Sequence, residues 1–203
     1  ISILFSEMIA IWVISFWEKL NCPKKFNLIE LGAGDGEMMN IMVNTFYKFP
    51  QFKNSCNIKI LEKSKLLRKI QKKKIKGHKI IWLNDLNELN SLPCIFIANE
   101  FFDALPIKQF IKIKGKWHER HVEFMNQIQP NFLDIPFDMQ KLEKKIKFKI
   151  SSKQKFIEYS PLVLDYLKKI TNKIMLNEGG ILLFDYGYTD KKMKNTLQAV
   201  SKH

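Results

Sequence analysis

Short apolar runs alternate along this chain with segments in which apolar residues recur at every third or fourth position, and that alternation predicts a mostly parallel α/β sheet. The first strand ends within Phe26-Asn-Leu-Ile-Glu-Leu31, and Met39, Met42, Val43 and Phe46 follow at i, i+3, i+4 and i+7, the stripe of a helix packed on a sheet. A second strand, Asn57–Leu61, leads to a helix marked by Leu66, Leu67 and Ile70, whose other face is nearly all lysine. Ile80–Leu83 and Cys94–Ala98 are the third and fourth strands, short enough to be buried and parallel. The period then changes. Residues 109–124 predict a β-hairpin with Lys114-Gly-Lys116 as its turn and Trp117 on the returning strand. Residues 125–153 carry Pro130, Pro136 and a lysine-rich run and specify no chemistry, as either an insertion above the sheet or a solvated segment. Ser160 as N-cap and Pro161 in the first turn open a further helix, with Val163, Tyr166, Leu167, Ile170 and Ile174 as its stripe. Gly179-Gly180 is expected to stop it, ahead of a core strand, Ile181–Phe184, that ends at Asp185-Tyr-Gly187.

The opening stretch, 1–17, is apolar but contains Ser2, Ser6, Glu7 and Ser15 and is bounded by Lys19, so it falls short of the roughly twenty apolar residues of a span. It reads as a helix covering the sheet, with Phe5, Met8, Ile9 and Trp12 inward. At 203 residues we expect one domain. Its parts are an N-terminal helix over 1–25, a core over 26–108, a hairpin and insertion over 109–155, and the rest of the core over 156–203. The missing initiator methionine and the end at Ser-Lys-His agree with a fragment, and no leader peptide can be assessed.

The turn after the first strand holds the first candidate chemistry. Gly32, Gly34 and Gly36 stand at alternate positions behind Glu30, where bare N–H groups and a helix N-terminus can meet a ligand. Nicotinamide loops space their glycines as Gly-x-Gly-x-x-Gly; the tighter Gly-x-Gly-x-Gly points to S-adenosylmethionine. Glu62 closes the second strand, where a doubly wound domain binds the two ribose hydroxyls of its cofactor.

The fourth strand runs into Asn99-Glu-Phe-Phe-Asp-Ala-Leu-Pro106. With Ile29-Glu-Leu-Gly-x-Gly-x-Gly36, Trp117-x-Glu-Arg120, Glu158-x-Ser-Pro161 and Asp185-Tyr-Gly187, this octapeptide resembles the MidA family of S-adenosylmethionine-dependent methyltransferases. That group includes a mitochondrial complex I assembly factor that methylates a protein arginine. Many relatives carry proline, arginine and threonine where this chain has Ala33, Asp35 and Glu37. The resemblance implies a Rossmann-like class I methyltransferase, with helices on both faces of the sheet and the hairpin inserted after the fourth strand. It implies S-adenosylmethionine as cofactor, held by Glu30, Gly32, Gly34, Gly36, Glu62 and Asn99. In this class the loop after the third strand lies beside the adenine, which makes Asp85 a candidate base contact, with a surface turn as the alternative.

An arginine acceptor is a protonated, delocalised and poor nucleophile. Carboxylates that hold it bidentately can localise its charge on the far nitrogens. Glu100 and Asp103, in the loop after the fourth strand, are the candidate catalytic acids, with Glu158 and Asp185 behind them; capping of a turn is the structural alternative. A protein substrate follows, a respiratory complex I subunit being one candidate, and the resemblance leaves a homodimer open. It implies a cytoplasmic protein in a bacterium, which the composition favours, or a mitochondrial matrix protein in a eukaryote.

The formal net charge of +14 raises the question of nucleic acid. Only Arg68 and Arg120 are arginine among 34 basic residues, alongside 26 isoleucines and 15 asparagines, the imprint of an AT-rich genome. Phosphate recognition favours the arginine fork, so we expect no specific nucleic-acid partner. An RNA methyltransferase and a non-catalytic assembly factor remain the competing readings; the chain lacks the Asn-Pro-Pro-Tyr type of loop, and its glycine triplet argues for a working cofactor site. Cys22, Cys56 and Cys94 are scattered, odd in number and free of any Cys-x-x-Cys spacing, and are expected to be buried thiols in a reducing compartment. His118 and His121 share a strand at a spacing that sends them to opposite faces, so no metal site is expected.

Overall fold

The computed structural model describes residues 2–125, 129–189 and 193–197; those parts of the expectations that touch residues 1, 126–128, 190–192 and 198–203 lie outside them. The chain divides into two compact units, Ile1–Ala104 with Val163–Tyr186, and Leu105–Leu162 with Gly187–His203.

In the first unit the chain runs through α1 (Ile3–Lys19), β1 (Phe26–Leu31), α2 (Glu37–Phe46), α3 (Pro50–Ser55), β2 (Cys56–Leu61), α4 (Lys65–Lys74), β3 (Ile81–Leu83) and β4 (Cys94–Asn99). It returns to this unit through α6 (Pro161–Asn177) and β9 (Gly179–Phe184). The described strands form one sheet in the order β3-β2-β1-β4-β9, every pair parallel. The order reverses between β1 and β4, which is where an open sheet of this kind leaves a crevice beyond the strand ends. Leu28, Ile58, Ile60, Ile95 and Ile97 fill one face together with Ile9, Val13 and Trp17 of α1 and Met39, Met42, Val43 and Phe46 of α2. Ile29, Leu31, Phe96 and Ala98 are buried on the other. On that side Lys173 of α6 donates to the Leu89 carbonyl at 2.6 Å and lies close enough to Lys59 and Cys94 to act on their charge.

Three helix readings need correction. In α1, Met8 is 61% exposed and the inner face is Ser6, Ile9, Ala10, Val13 and Trp17. Ser6 can go inward because its hydroxyl donates to the Ser2 carbonyl, so the buried stripe turns away from the purely apolar one. In α4, Leu66 is 68% and Ile70 38% exposed, while Gln71 is wholly buried. The polar ends of β1, β2 and β3 require hydrogen bonds that leucine cannot make, and Arg68 and Gln71 supply them. Gly179 and Gly180 lie in β9 and do not end α6; Glu178 takes the left-handed position at φ 63°. Gly179 is needed where it stands because a Cβ there would sit 1.9 Å from the Cys94 carbonyl oxygen.

The second unit contains β5 (Lys108–Ile113), β6 (Lys116–Met125), β7 (Gln129–Pro136), α5 (Met139–Ile146) and β8 (Phe156–Tyr159). Its described strands form an antiparallel sheet ordered β7-β6-β5-β8. The expected hairpin is β5–β6, closed by Lys114 and Gly115 at φ 47° and 81°, the paired positive values of a two-residue turn. The stretch read as an insertion or solvated segment supplies β7 and α5. Pro130 and Pro136 are tolerated because β7 is an edge strand and both lie near its ends. Arg120 of β6 meets its cross-strand partner Asp134 through both Nε and Nη2, at 2.9 and 3.1 Å. His118 and His121 fall on β6 as expected, and among the described residues no His, Cys, Asp and Glu groups of three or more could hold a metal. Among the described residues no helix is long and apolar enough to cross a membrane.

Candidate functional site

Register aligns the ends of the central strands: Leu31 lies opposite both Leu61 and Ala98, and Leu61 opposite Leu83. One residue further on stand Gly32, Glu62, Asn84 and Asn99, so four loops of different sequence open along one edge. The glycine loop and the octapeptide meet there. A Cβ on Gly32 would lie 2.7 Å from Cδ2 of Phe101, whose ring also packs edge-on against Tyr166 at 5.3 Å. Gly34 has φ +53° and open space where its side chain would be, and Gly36, at φ +87°, caps the N-terminus of α2.

Glu30 sits on the α1–α2 face of β1 and is 2% exposed. Its Oε2 has no hydrogen-bond partner among the described residues. Burial, with a smaller push from Asp35, raises its pKa from 4.5 to about 8. An isolated buried carboxyl in this position is neutral at ordinary pH.

Glu62 is buried at the end of β2. Its Oε1 accepts the Ser64 N–H at 2.8 Å and its Oε2 accepts from Gln71 Nε2 at 3.3 Å. Gln71 also donates to the Gly34 carbonyl at 2.8 Å and accepts from Trp82 Nε1 at 2.7 Å. Arg68 fixes the neighbouring strand ends by donating to the carbonyls of Glu62 and Leu83 at 2.6 and 2.8 Å. At the rim, Lys74 pairs with Asp35 and Glu37 at 2.5 and 2.8 Å, so one lysine of α4 bridges both loop acids and offsets part of their charge. Asp85 caps the short helical turn Leu86–Glu88 with one oxygen and pairs with Lys169 through the other, at 2.9 Å, which together hold its carboxyl below its usual range.

The octapeptide begins with strain. Glu100 has φ 47°, a left-handed backbone that a side chain with a Cβ resists. Two anchors hold it: the Glu100 N–H donates to the Phe184 carbonyl at 2.9 Å, and Asp185 Oδ2 accepts the next two N–H groups, of Phe102 and Asp103, at 3.1 and 3.2 Å. Asp185 Oδ1 accepts the Tyr186 N–H at 2.8 Å, and the Tyr186 hydroxyl donates to Glu100 Oε1 at 3.3 Å. Partial burial and the carboxylates of Asp185 and Glu100 raise the pKa of Asp103. Both candidate acids thus lie in one crowded anionic turn.

The profile of a family described as "putative S-adenosyl-L-methionine-dependent methyltransferase" matches residues 8–203. The chain belongs to this family. Its relatives include mitochondrial proteins named protein arginine methyltransferase NDUFAF7, from Xenopus laevis and Homo sapiens, each 26% identical over 95% of this chain and 49% of their own length. A Caenorhabditis elegans homolog is 27% identical over 98% of this chain and 52% of its own. The chain spans about half the length of these curated relatives. Among solved structures, a COG1565 superfamily member from Burkholderia thailandensis, bound to S-adenosyl-homocysteine, shares the fold at a TM-score of 0.69 and 18% identity. That match covers 92% of this chain and 48% of the other.

Within this methyltransferase family fold, three residues escaped the sequence reading. Gln71 and Arg68 were hidden because α4 shows a plausible apolar stripe elsewhere. Tyr186 was named only as part of Asp185-Tyr-Gly187, and its reach to Glu100 depends on β4 and β9 being neighbours. Glu158, in the second unit, accepts from Gln109 Nε2, the Thr196 N–H and the Thr196 hydroxyl, at 2.9, 2.9 and 2.5 Å, so its carboxylate braces β5, β8 and the later segment.

Proposed function

We propose that this chain carries the cofactor-binding part of an S-adenosylmethionine-dependent protein arginine methyltransferase. The observation that carries the reading is the glycine loop at the β1/β4 switch point, with open space at Gly34 and, two residues before Gly32, a buried oxygen on Glu30 that has no partner among the described residues. Those features fit the group. The loop N–H groups and the α2 N-terminus suit its carboxylate, the Glu30 carboxyl, neutral while isolated, would ionise beside its ammonium, and Glu62 keeps one lone pair on each oxygen for the ribose hydroxyls. When bound, S-adenosylmethionine supplies an activated methyl on a good leaving group. The protein has then to place the acceptor in line and exclude water.

Glu100 and Asp103 are the acids we assign to the acceptor. Burial raises the Asp103 pKa most and the carboxylates of Asp185 and Glu100 add to it; a guanidinium beside Glu100 and Asp103 would offset that like-charge part, and Phe101 and Phe102, edge-on at 5.3 Å, would wall the site from water. Asp185 is instead the brace of the turn. The names of the relatives support a protein substrate, and a complex I subunit and a mitochondrial location are proposed on that basis alone.

The test uses the full-length protein. Calorimetry should detect S-adenosylmethionine, and Gly34→Val should lose it, because valine at positive φ is strained and fills the open space. Transfer of labelled methyl to protein, followed by acid hydrolysis, should yield methylarginine. Labelled RNA with unlabelled protein would overturn the arginine reading, and wild-type affinity in the valine variant would overturn the loop assignment.

A further inference from the structure

The geometry points to Gln71 as a positioning residue of the cofactor site: its carboxamide locks the Glu62 carboxylate to the glycine loop at Gly34, so that the ribose and loop contacts are presented in one fixed relation. This rests on the cofactor reading above.

Gln71 is wholly buried, and its amide orientation is forced. Trp82 Nε1 can only donate and the Gly34 carbonyl can only accept, so Oε1 faces the indole at 2.7 Å and Nε2 faces the loop at 2.8 Å. The remaining N–H is directed at Glu62 Oε2, at 3.3 Å. With Ser64 N–H on Oε1, each carboxylate oxygen receives one donor from among the described residues and keeps one lone pair. That pattern suits a vicinal diol, which brings one hydroxyl to each oxygen.

The loop is shaped to admit this residue. A Cβ on Gly36 would lie 3.2 Å from Gln71 Cγ and 3.4 Å from its Cα, so the last glycine lets α4 approach. Lys74, one turn on, grips Asp35 and Glu37 outside. Helix α4 therefore holds the loop twice, by neutral hydrogen bonds inside and ion pairs at the rim. Gln71 does not itself touch the ligand; it orients the groups that do.

The test is titration of full-length wild type, Gln71→Glu, Gln71→Met and Glu62→Ala with S-adenosyl-homocysteine between about pH 6 and 9. Ionised Glu at 71 faces the Gly34 carbonyl and the Glu62 carboxylate and repels both, whereas its protonated form regains one donor and the acceptor for Trp82. We expect Gln71→Glu to bind about tenfold more weakly than wild type at the upper pH, with the deficit shrinking several-fold at the lower. Gln71→Met, neutral and of similar length, should show a deficit that pH does not change relative to wild type. If Glu62→Ala loses binding while both position 71 variants match wild type, Gln71 has no positioning role. A deficit equal in both variants, constant with pH and following a lowered melting temperature reduces Gln71 to a structural residue and overturns the inference. Wild-type affinity in Glu62→Ala removes the ribose assignment, and the inference falls with it.

Discussion

The Asp185 carboxylate accepts the backbone N–H of Asp103 at 3.2 Å, tying the loop after β4 to the end of β9 across the sheet edge. The same oxygen takes the Phe102 N–H, so the turn that presents Glu100 and Asp103 is held by an acid that is not one of them. Asp185→Ala should release the strained Glu100 backbone. Bonds to a charged acceptor contribute roughly 1.5–3 kcal/mol when buried; for this half-exposed pair we expect about 1–2 kcal/mol in denaturant unfolding, a small change in S-adenosylmethionine affinity and a large fall in methyl transfer. Full transfer activity would show that the turn holds its shape without Asp185.

Glu100→Gln and Asp103→Asn keep shape and remove charge. Each is expected to leave S-adenosylmethionine binding nearly intact and to reduce transfer to an arginine-containing protein by on the order of a hundredfold, the scale of losing one preorganised electrostatic partner. Binding and single-turnover transfer are to be measured on the same preparations. If both variants turn over like wild type, these acids are caps.

Glu30 makes stability depend on pH with a definite sign. Its folded pKa, about 8, exceeds its ordinary 4.5, so its stabilising contribution is complete below about pH 4.5 and is lost as pH rises through about 8. Glu30→Gln stays neutral throughout. The variant should therefore gain on wild type as pH rises and level off above about pH 8, by on the order of a few kcal/mol at about 1.4 kcal/mol per pKa unit. Denaturant unfolding of the ligand-free protein across that range is the check, and parallel curves would show that Glu30 has a partner in solution.

Nucleic acid should bind weakly and without sequence preference. Both arginines serve the fold, Arg68 on strand-end carbonyls and Arg120 on Asp134, which leaves the charge excess to lysines. Filter binding at near-physiological salt should show loose complexes that dissolve as salt rises. A tight complex with one RNA that survives added salt would revive the RNA reading.

What the sequence by itself determined is whatever depends on local period and local chirality. The runs at 26–31, 57–61 and 94–98 became β1, β2 and β4, the stripe Met39-Met42-Val43-Phe46 became the buried face of α2, and Lys114-Gly115 became the hairpin turn, because each is specified by neighbours a few residues away. The position of the alternate glycines and of Glu62 at the ends of β1 and β2 was legible for the same reason, since a loop spacing is a local signal. The tertiary structure decided which side of a helix goes inside when several would serve. In α4 the apolar choice was Leu66, Leu67 and Ile70, but the Gly34 carbonyl, the Glu62 carboxylate and the Trp82 indole come from the ends of three different strands and all require a polar partner, so Gln71 was drawn in. The same holds for Asp185 and Tyr186, which reach the octapeptide only because β9 pairs with β4. Strand β7 was hidden by its prolines, harmless once pairing placed them at the edge. Hydrogen-bond demand between different elements leaves no periodic trace, and in this protein it sets the form of the candidate site.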